Sequence, residues 1–386
     1  MSARPQPARG ATRGNFIAEW FGHRVWPSVD GSDAAVRNQS SRRCPFLSFA
    51  TGEDRTCIKI PRTGAEPTGV CTVSSDSNGE RQDWLACPYR ILDQHFTLLV
   101  EAVRTLFRVE ASVEVLVLPV TVLHRQDVRE RVKAAIQSPT ARVFAFTSDK
   151  LGGEVDIPET DASPGAKVDV SIIELLDTDA ATGVPSKFGQ HVFYEIQTSD
   201  FHGSPLHAIG LLQGLCPAGT TEPYHDRLRE NVEICGTGVE GPNKANVFKR
   251  TIYQTILKVR MAEHPACAGF MLVLPLSVWE SWRRHFGLPK LDAHEGDARL
   301  VSLAGPGEDA ARLRVSAHSW IFVFDIDRES KESPQPLRTV LRIATSADAL
   351  LHFSFLAAAD AGVAAGIIDR FRAALSRRVQ SNWKAR

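Results

Sequence analysis

Between residues 126 and 275 the chain alternates amphipathic stretches with short β-branched apolar runs, which restricts it to an α/β core around a mixed sheet. "QDVRERVKAAIQ" (126–137) predicts an amphipathic helix, its apolar residues recurring every three or four positions. "RVFAFTS" (142–148), "AKVDVSIIELL" (166–176) and "HVFYEIQT" (191–198) predict three strands. "SPLHAIGLLQG" (204–214) is helical, with Pro205 suited to a first turn. "ANVFKRTIYQTILKVRMAEH" (245–264) predicts a long helix and "AGFMLVLP" (268–275) a buried strand. Flanking this section, "ILDQHFTLLVEAVRTLF" (91–107) and "SVWESWRRHF" (277–286) read as helices. "VEVLVLPVTV" and "SWIFVFDID" (319–327) read as strands. The Gly- and Asp-rich stretch 286–316 reads as loop, and no internal repeat appears.

With 386 residues, 43% of them hydrophobic and 23% charged, the chain can bury a sizeable core. Its most apolar run, "VEVLVLPVTVL" (113–123), is too short for a membrane span and carries Glu114 and Pro119. The basic start "MSARPQPARGATRG" lacks an apolar signal core, so residues 1–14 are expected to form a disordered arm on a cytoplasmic protein without membrane contact. The formal net charge is zero, which argues against bulk attraction to nucleic acid but leaves room for a local basic face.

Residues 15–90 show little periodicity and hold four of the seven cysteines: Cys44, Cys57, Cys71 and Cys87. A segment of this kind builds a core poorly, and a metal cross-link would offset the deficit. Clustered thiols without a secretion signal point to a metal site rather than to disulfides. Four thiolates suit Zn²⁺ or Fe, and spacing does not separate the two. No CxxC pair is present, and four independent thiols are the competing reading. The expected division is a metal-binding segment at 15–90, a core at 91–330 and a C-terminal extension at 331–386.

Within "VFYEIQTSDFHGS" (192–204), Glu195 and Gln197 alternate with Tyr194 and Ile196 and so share one strand face. If the strand carrying Asp169 pairs beside them, two carboxylates converge, and such a pair calls for a cation. Mg²⁺ is the natural choice, with Glu154 in "KLGGEVDI" as a third acid. Metal-dependent nucleases usually place Lys where Gln197 stands. Gln carries no charge but can position water by hydrogen bonding. An ordinary edge strand would show the same residues. GxSxG, HExxH and Walker A motifs are absent. His202 and His207 read as structural or phosphate-facing. On the helix 245–264, Lys249 and Arg250 fall in the first turns, a phosphate-binding position, whereas Lys258 and Arg260 read as a solvated face. The tail "SRRVQSNWKAR" adds a basic end.

The segments "NFIAEWFGHRVWP", "CPFL", "DWLACPYRILD", "KLGGE", "EIQTSDFHGS", "EGPNKANVFKRTIYQ" and "WIFVFDID", with the four clustered cysteines, together resemble the rare-cutting type II restriction endonucleases of the PD-(D/E)xK nuclease superfamily. The resemblance runs from about residue 15 to 330. It implies a restriction-endonuclease-like core and a homodimer that cuts both strands of double-stranded DNA with Mg²⁺. It makes Asp169, Glu195 and Gln197 the catalytic trio, with Gln a natural third residue, and Glu154 an accessory acid. It implies a structural metal, iron in that family, on Cys44, Cys57, Cys71 and Cys87, and a GC-only palindrome such as GCGGCCGC as substrate. Arg81 and Arg90 join Lys249 and Arg250 as expected DNA contacts. Two alternatives stand beside this reading: an inactive metal-stapled DNA-binding protein, and a repair nuclease that reads DNA structure rather than sequence.

Overall fold

The computed structural model describes residues 14–61, 66–77, 79–161, 165–179, 181–220, 224–243, 254–285, 288, 291, 293–357, 360 and 366–384. The N-terminal segment is not irregular. Strands β1 (Asn15–Trp20), β2 (His23–Arg24), β3 (Val70–Ser77) and β4 (Glu80–Leu85) form an antiparallel sheet in the order β2-β1-β3-β4. Two short helices, α1 (Asp33–Ser40) and α2 (Pro45–Thr51), interrupt it. These brief elements fall between polar turns, which hides their alternation in the sequence. The sheet also borrows its core. Ile17, Trp20, Phe21 and Val73 pack against Ala208, Ile209, Leu212 and Leu228. Those partners belong to α5 (Leu206–Leu215) and α6 (His225–Glu230).

The second sheet has nine strands: β5 (Glu114–Pro119), β6 (Ala141–Ser148), β9 (Val170–Thr178), β10 (Pro185–Ile196), β11 (Cys267–Pro275), β12 (Ala293–His294), β13 (Asp297–Leu303), β14 (Ser319–Ile326) and β15 (Leu337–Thr345). Their order is β12-β13-β15-β14-β11-β10-β9-β6-β5. The sheet is mixed: β11 runs parallel to both β10 and β14, while β9 is antiparallel to β10 and β6. Every residue of β11 is buried, as expected of a strand covered on both faces. One face packs on α3 (Thr97–Leu106) and α2 through Leu98, Leu99, Phe144, Tyr194 and Phe322. The other packs on α8 (Leu276–His285) and α7 (254–261) through Val259, Phe270, Leu272 and Trp279. Helix α4 (Gln126–Gln137) covers the β5 end through Val132.

Several boundaries differ from the sequence expectation. The expected helix 91–107 begins only at Thr97: residues Pro88–Ile91 form a separate 3₁₀ turn, Phe96 is left-handed at the helix start, and the Asp93 side chain accepts the Thr97 N–H at 2.8 Å. The stretch 286–316 is not all loop. It contributes β13, paired in parallel with β15, and helix α9 (Ala310–Ser316), started by the Asp309 side chain. The sheet runs past residue 330, since β15 lies between β13 and β14. Among the described residues α10 (Ala347–Leu351), a π-helical turn (His352–Ala357) and α11 (Ile367–Lys384) follow. Among the described residues no helix is long and apolar enough to cross a membrane.

Candidate active site

The expected strand 166–176 is two strands, broken at Asp169. Residues 166–168 form β8, which pairs with β7 (Val155–Ile157) as a separate two-stranded ribbon, and β9 starts at Val170 inside the main sheet. Asp169 is the residue at which the chain passes from one sheet to the other. Its carboxylate turns to β10, where Oδ2 accepts the Ile196 N–H at 2.9 Å. The Asp169 N–H in return donates to Glu195 Oε1 at 3.3 Å. The second of these bonds joins the two acids that the sequence had set twenty-six residues apart, and the first holds Asp169 to the residue beside Glu195. Glu154, just ahead of β7, lines a cavity of about 130 Å³ together with Asp169, Ile196 and Thr198. Exposed Lys167 lies 3.5 Å from its carboxylate.

The third charged group at this point is a lysine that the sequence had assigned to solvent. Lys258 on α7 is fully buried, and its Nζ lies 2.7 Å from Glu195 Oε1. The ammonium bonds Glu195 at that distance and also acts electrostatically on Asp169. The signal was present in the sequence. Thr255, Lys258, Val259 and Ala262 follow helical spacing, and all four are buried.

Charge in this site is held at a cost. Burial pushes the Asp169 carboxyl up, Glu154 adds to the rise, and the Ile196 N–H and Lys258 oppose it. Burial, then the Asp169 charge, pushes Glu195 up to about 7 against the pull of Lys258. Carboxylates raised in this way gain from an added cation. The donors are hard oxygens, the chemistry that suits Mg²⁺, and Mg²⁺ takes one or two protein carboxylates and keeps waters. Asp169 and Glu195 are the residues that would hold it. Among the described residues no set of three or more His, Cys, Asp or Glu closes on one point, so Glu154 stands apart from that pair.

Gln197 follows Glu195 just beyond the end of β10. Its backbone N–H donates to Val273 O at 2.9 Å and its side-chain amide to Thr198 O at 2.6 Å. The sequence expectation of a shared face with Glu195 rests on the alternation of β10, and the amide is turned back on the chain.

The four N-terminal cysteines converge from separate elements. Cys44 caps α2, Cys71 lies on β3, Cys87 follows β4, and Cys57 sits beside the bridge between Arg43 and Thr56. Every pair among the four is near enough to act electrostatically. Burial pushes all four thiols up, Cys44 to about 12, and each raises its neighbours further or leaves them raised. Among the described residues the thiols do not close to metal-ligating distance, so the expected four-thiolate centre is not formed by the side chains as they stand.

Arg90 does not read DNA in this structure, which corrects the sequence assignment. It is fully buried, bonded through two nitrogens to Glu19 at 3.0 Å each, and lies over Phe46 at 4.9 Å. Position beside Cys87 had suggested a reader, but the carboxylate that binds it lies on β1, remote in sequence. Arg81 is half-buried, stacked over Trp26 at 4.8 Å and Phe16 at 5.3 Å, with Nη2 donating to Gly14 O at 3.0 Å. Lys249 and Arg250 lie outside the described residues. Compared with known proteins, the chain matches no family model and no curated protein.

Proposed function

We propose that the protein is a Mg²⁺-dependent deoxyribonuclease of the type II restriction class, built on a PD-(D/E)xK core and acting as a homodimer on a GC-rich palindrome such as GCGGCCGC. The observation that carries this reading is the pair of hydrogen bonds that join Asp169 to Glu195 and to the neighbouring Ile196 N–H, beside a cavity lined by Asp169 and Glu154. Bound Mg²⁺ would supply a Lewis acid for the scissile phosphate and lower the pKa of a coordinated water. Asp169 and Glu195 hold the negative charge that draws the ion, and the sheet-to-sheet break fixes their spacing. Gln197 is left the neutral task of bonding water.

The same proposal seats a structural Zn or Fe on Cys44, Cys57, Cys71 and Cys87. Support comes from four thiols drawn together out of four elements. The proposal requires the cluster to contract around the ion. An inactive DNA-binding protein is the second reading, favoured by the Gln197 amide being engaged with Thr198 O. Incubation of purified protein with Mg²⁺ and plasmid or genomic DNA, followed by sequencing of the ends, separates them. Discrete fragments with a shared palindromic end sequence support the restriction reading. Ends without a consensus indicate a structure-selective nuclease, and intact DNA that is nevertheless bound indicates the inactive protein.

A further inference from the structure

Strand β10 ends in a neutral side chain where a charged one would serve the chemistry, and a buried ammonium stands beside the same carboxylate. We infer that Lys258 supplies, from helix α7, the cationic group that the strand lacks at Gln197, and that it is a catalytic residue facing the attacking water and the scissile phosphate. The inference rests on the nuclease reading.

Three observations carry it. First, Lys258 is fully buried, and a buried ammonium is retained at a desolvation cost that simple packing would avoid. Second, its Nζ donates to Glu195 Oε1 at 2.7 Å, which engages one of the ammonium's three protons, and no further hydrogen-bond partner of Nζ is found among the described residues. Third, the lysines that pair with acids lining the cavity are engaged and open to solvent. Lys167 sits between Glu154 and Asp156 with 70% of its side chain exposed, and Lys150 pairs with Asp149 at 3.0 Å. Lys258, by contrast, is buried on the helix face that carries Val259 and Ala262.

Hydrolysis forms a P–O bond to the oxygen of water and breaks a P–O bond to a deoxyribose oxygen. That oxygen takes up one proton, and the other stays with the new phosphate monoester or passes to solvent. Lys258 keeps its own protons throughout. Its role is to offset the charge that grows on the phosphate and to orient the water. Moving the ammonium from strand to helix leaves the charge in place and frees position 197.

The test uses Lys258→Met, Gln197→Lys and the double variant, with Asp169→Asn as reference, on full-length protein. Readouts are single-turnover cleavage with Mg²⁺, DNA affinity with Ca²⁺, and Mn²⁺ stoichiometry by electron paramagnetic resonance. Lys258→Met is expected to lose about 100-fold or more in cleavage, with DNA affinity and Mn²⁺ stoichiometry unchanged. Gln197→Lys/Lys258→Met is expected to recover at least about tenfold of that loss, because the charge returns to the strand. Cleavage by Lys258→Met at the unaltered protein's rate overturns the inference and leaves the nuclease reading standing. Loss of Mn²⁺ along with activity also overturns it, since Lys258 would then only shape Glu195. If Lys258→Met does not fold, the double variant decides: folded, Mn²⁺-binding and inactive protein counts against the inference, and active protein supports it. No cleavage by the unaltered protein, alongside inert Asp169→Asn, means the nuclease reading itself has failed.

Discussion

Arg90 and Glu19 meet through two bonds of 3.0 Å with both side chains shut off from solvent. Thr72 Oγ1 donates to the same carboxylate at 3.1 Å, and Arg90 Nη2 also donates to Gln335 O at 2.6 Å. One guanidinium therefore ties β1 and β3 of the small sheet to the approach of β15 in the large one. Removing one half of such a pair leaves a buried charge alone. Arg90→Met or Glu19→Gln is expected to cost about 3–5 kcal/mol in urea unfolding, while the double Glu19→Met/Arg90→Met costs markedly less than the sum. Additive single-variant losses would show that the pair is not coupled.

Asp83 gives the fold a pH dependence. Burial would raise its carboxyl, but Arg24 at 2.7 Å and Arg328 at 2.9 Å outweigh that and hold it below the usual 3.8. Its folded-state pKa is below its unfolded one, so its contribution is present above about pH 3.8 and is lost as pH falls through the folded value. The stability gap between the natural protein and Asp83→Asn should be widest near pH 7 and narrow below pH 4. A gap that stays constant down to pH 2.5 would contradict this assignment.

Asp169→Asn and Glu195→Gln are expected to lower single-turnover DNA cleavage by about 100-fold or more, since the divalent ion contributes several kcal/mol to the transition state. Both should still bind DNA in Ca²⁺. Full activity in Asp169→Asn would remove that residue from the proposed centre.

Elemental analysis of protein purified under reducing conditions should find about one Zn or Fe per chain, with a Cys71→Ser variant losing it and melting earlier. Metal-free protein with the same melting temperature as the holo form would leave four independent buried thiols.

The central α/β pattern was legible because β-branched runs and 3–4 periodicity coincide with β6, β9, β10 and β11. Asp169 and Glu195 were legible as a pair because strand alternation alone aims Glu195 to one side. Lys258 was not. A lysine on an amphipathic helix is normally solvated, and only the packing of α7 on β10 shows which face is inward. Arg90 failed for the same reason in reverse: its partner Glu19 lies on β1, far back in the chain, and short-range sequence context favoured exposure. The small N-terminal sheet escaped detection because its core is completed by α5 and α6, far along the chain.

The position of β15 has a practical consequence for anyone trimming this chain. A cut after residue 330, where the sequence resemblance fades, removes not an appendage but an interior plank of the sheet, and with it the Leu337 N–H that Asp93 Oδ2 accepts at 3.0 Å. The truncated protein would present two raw strand margins, those of β13 and β14, and it is expected to collect in insoluble form rather than as a minimal nuclease.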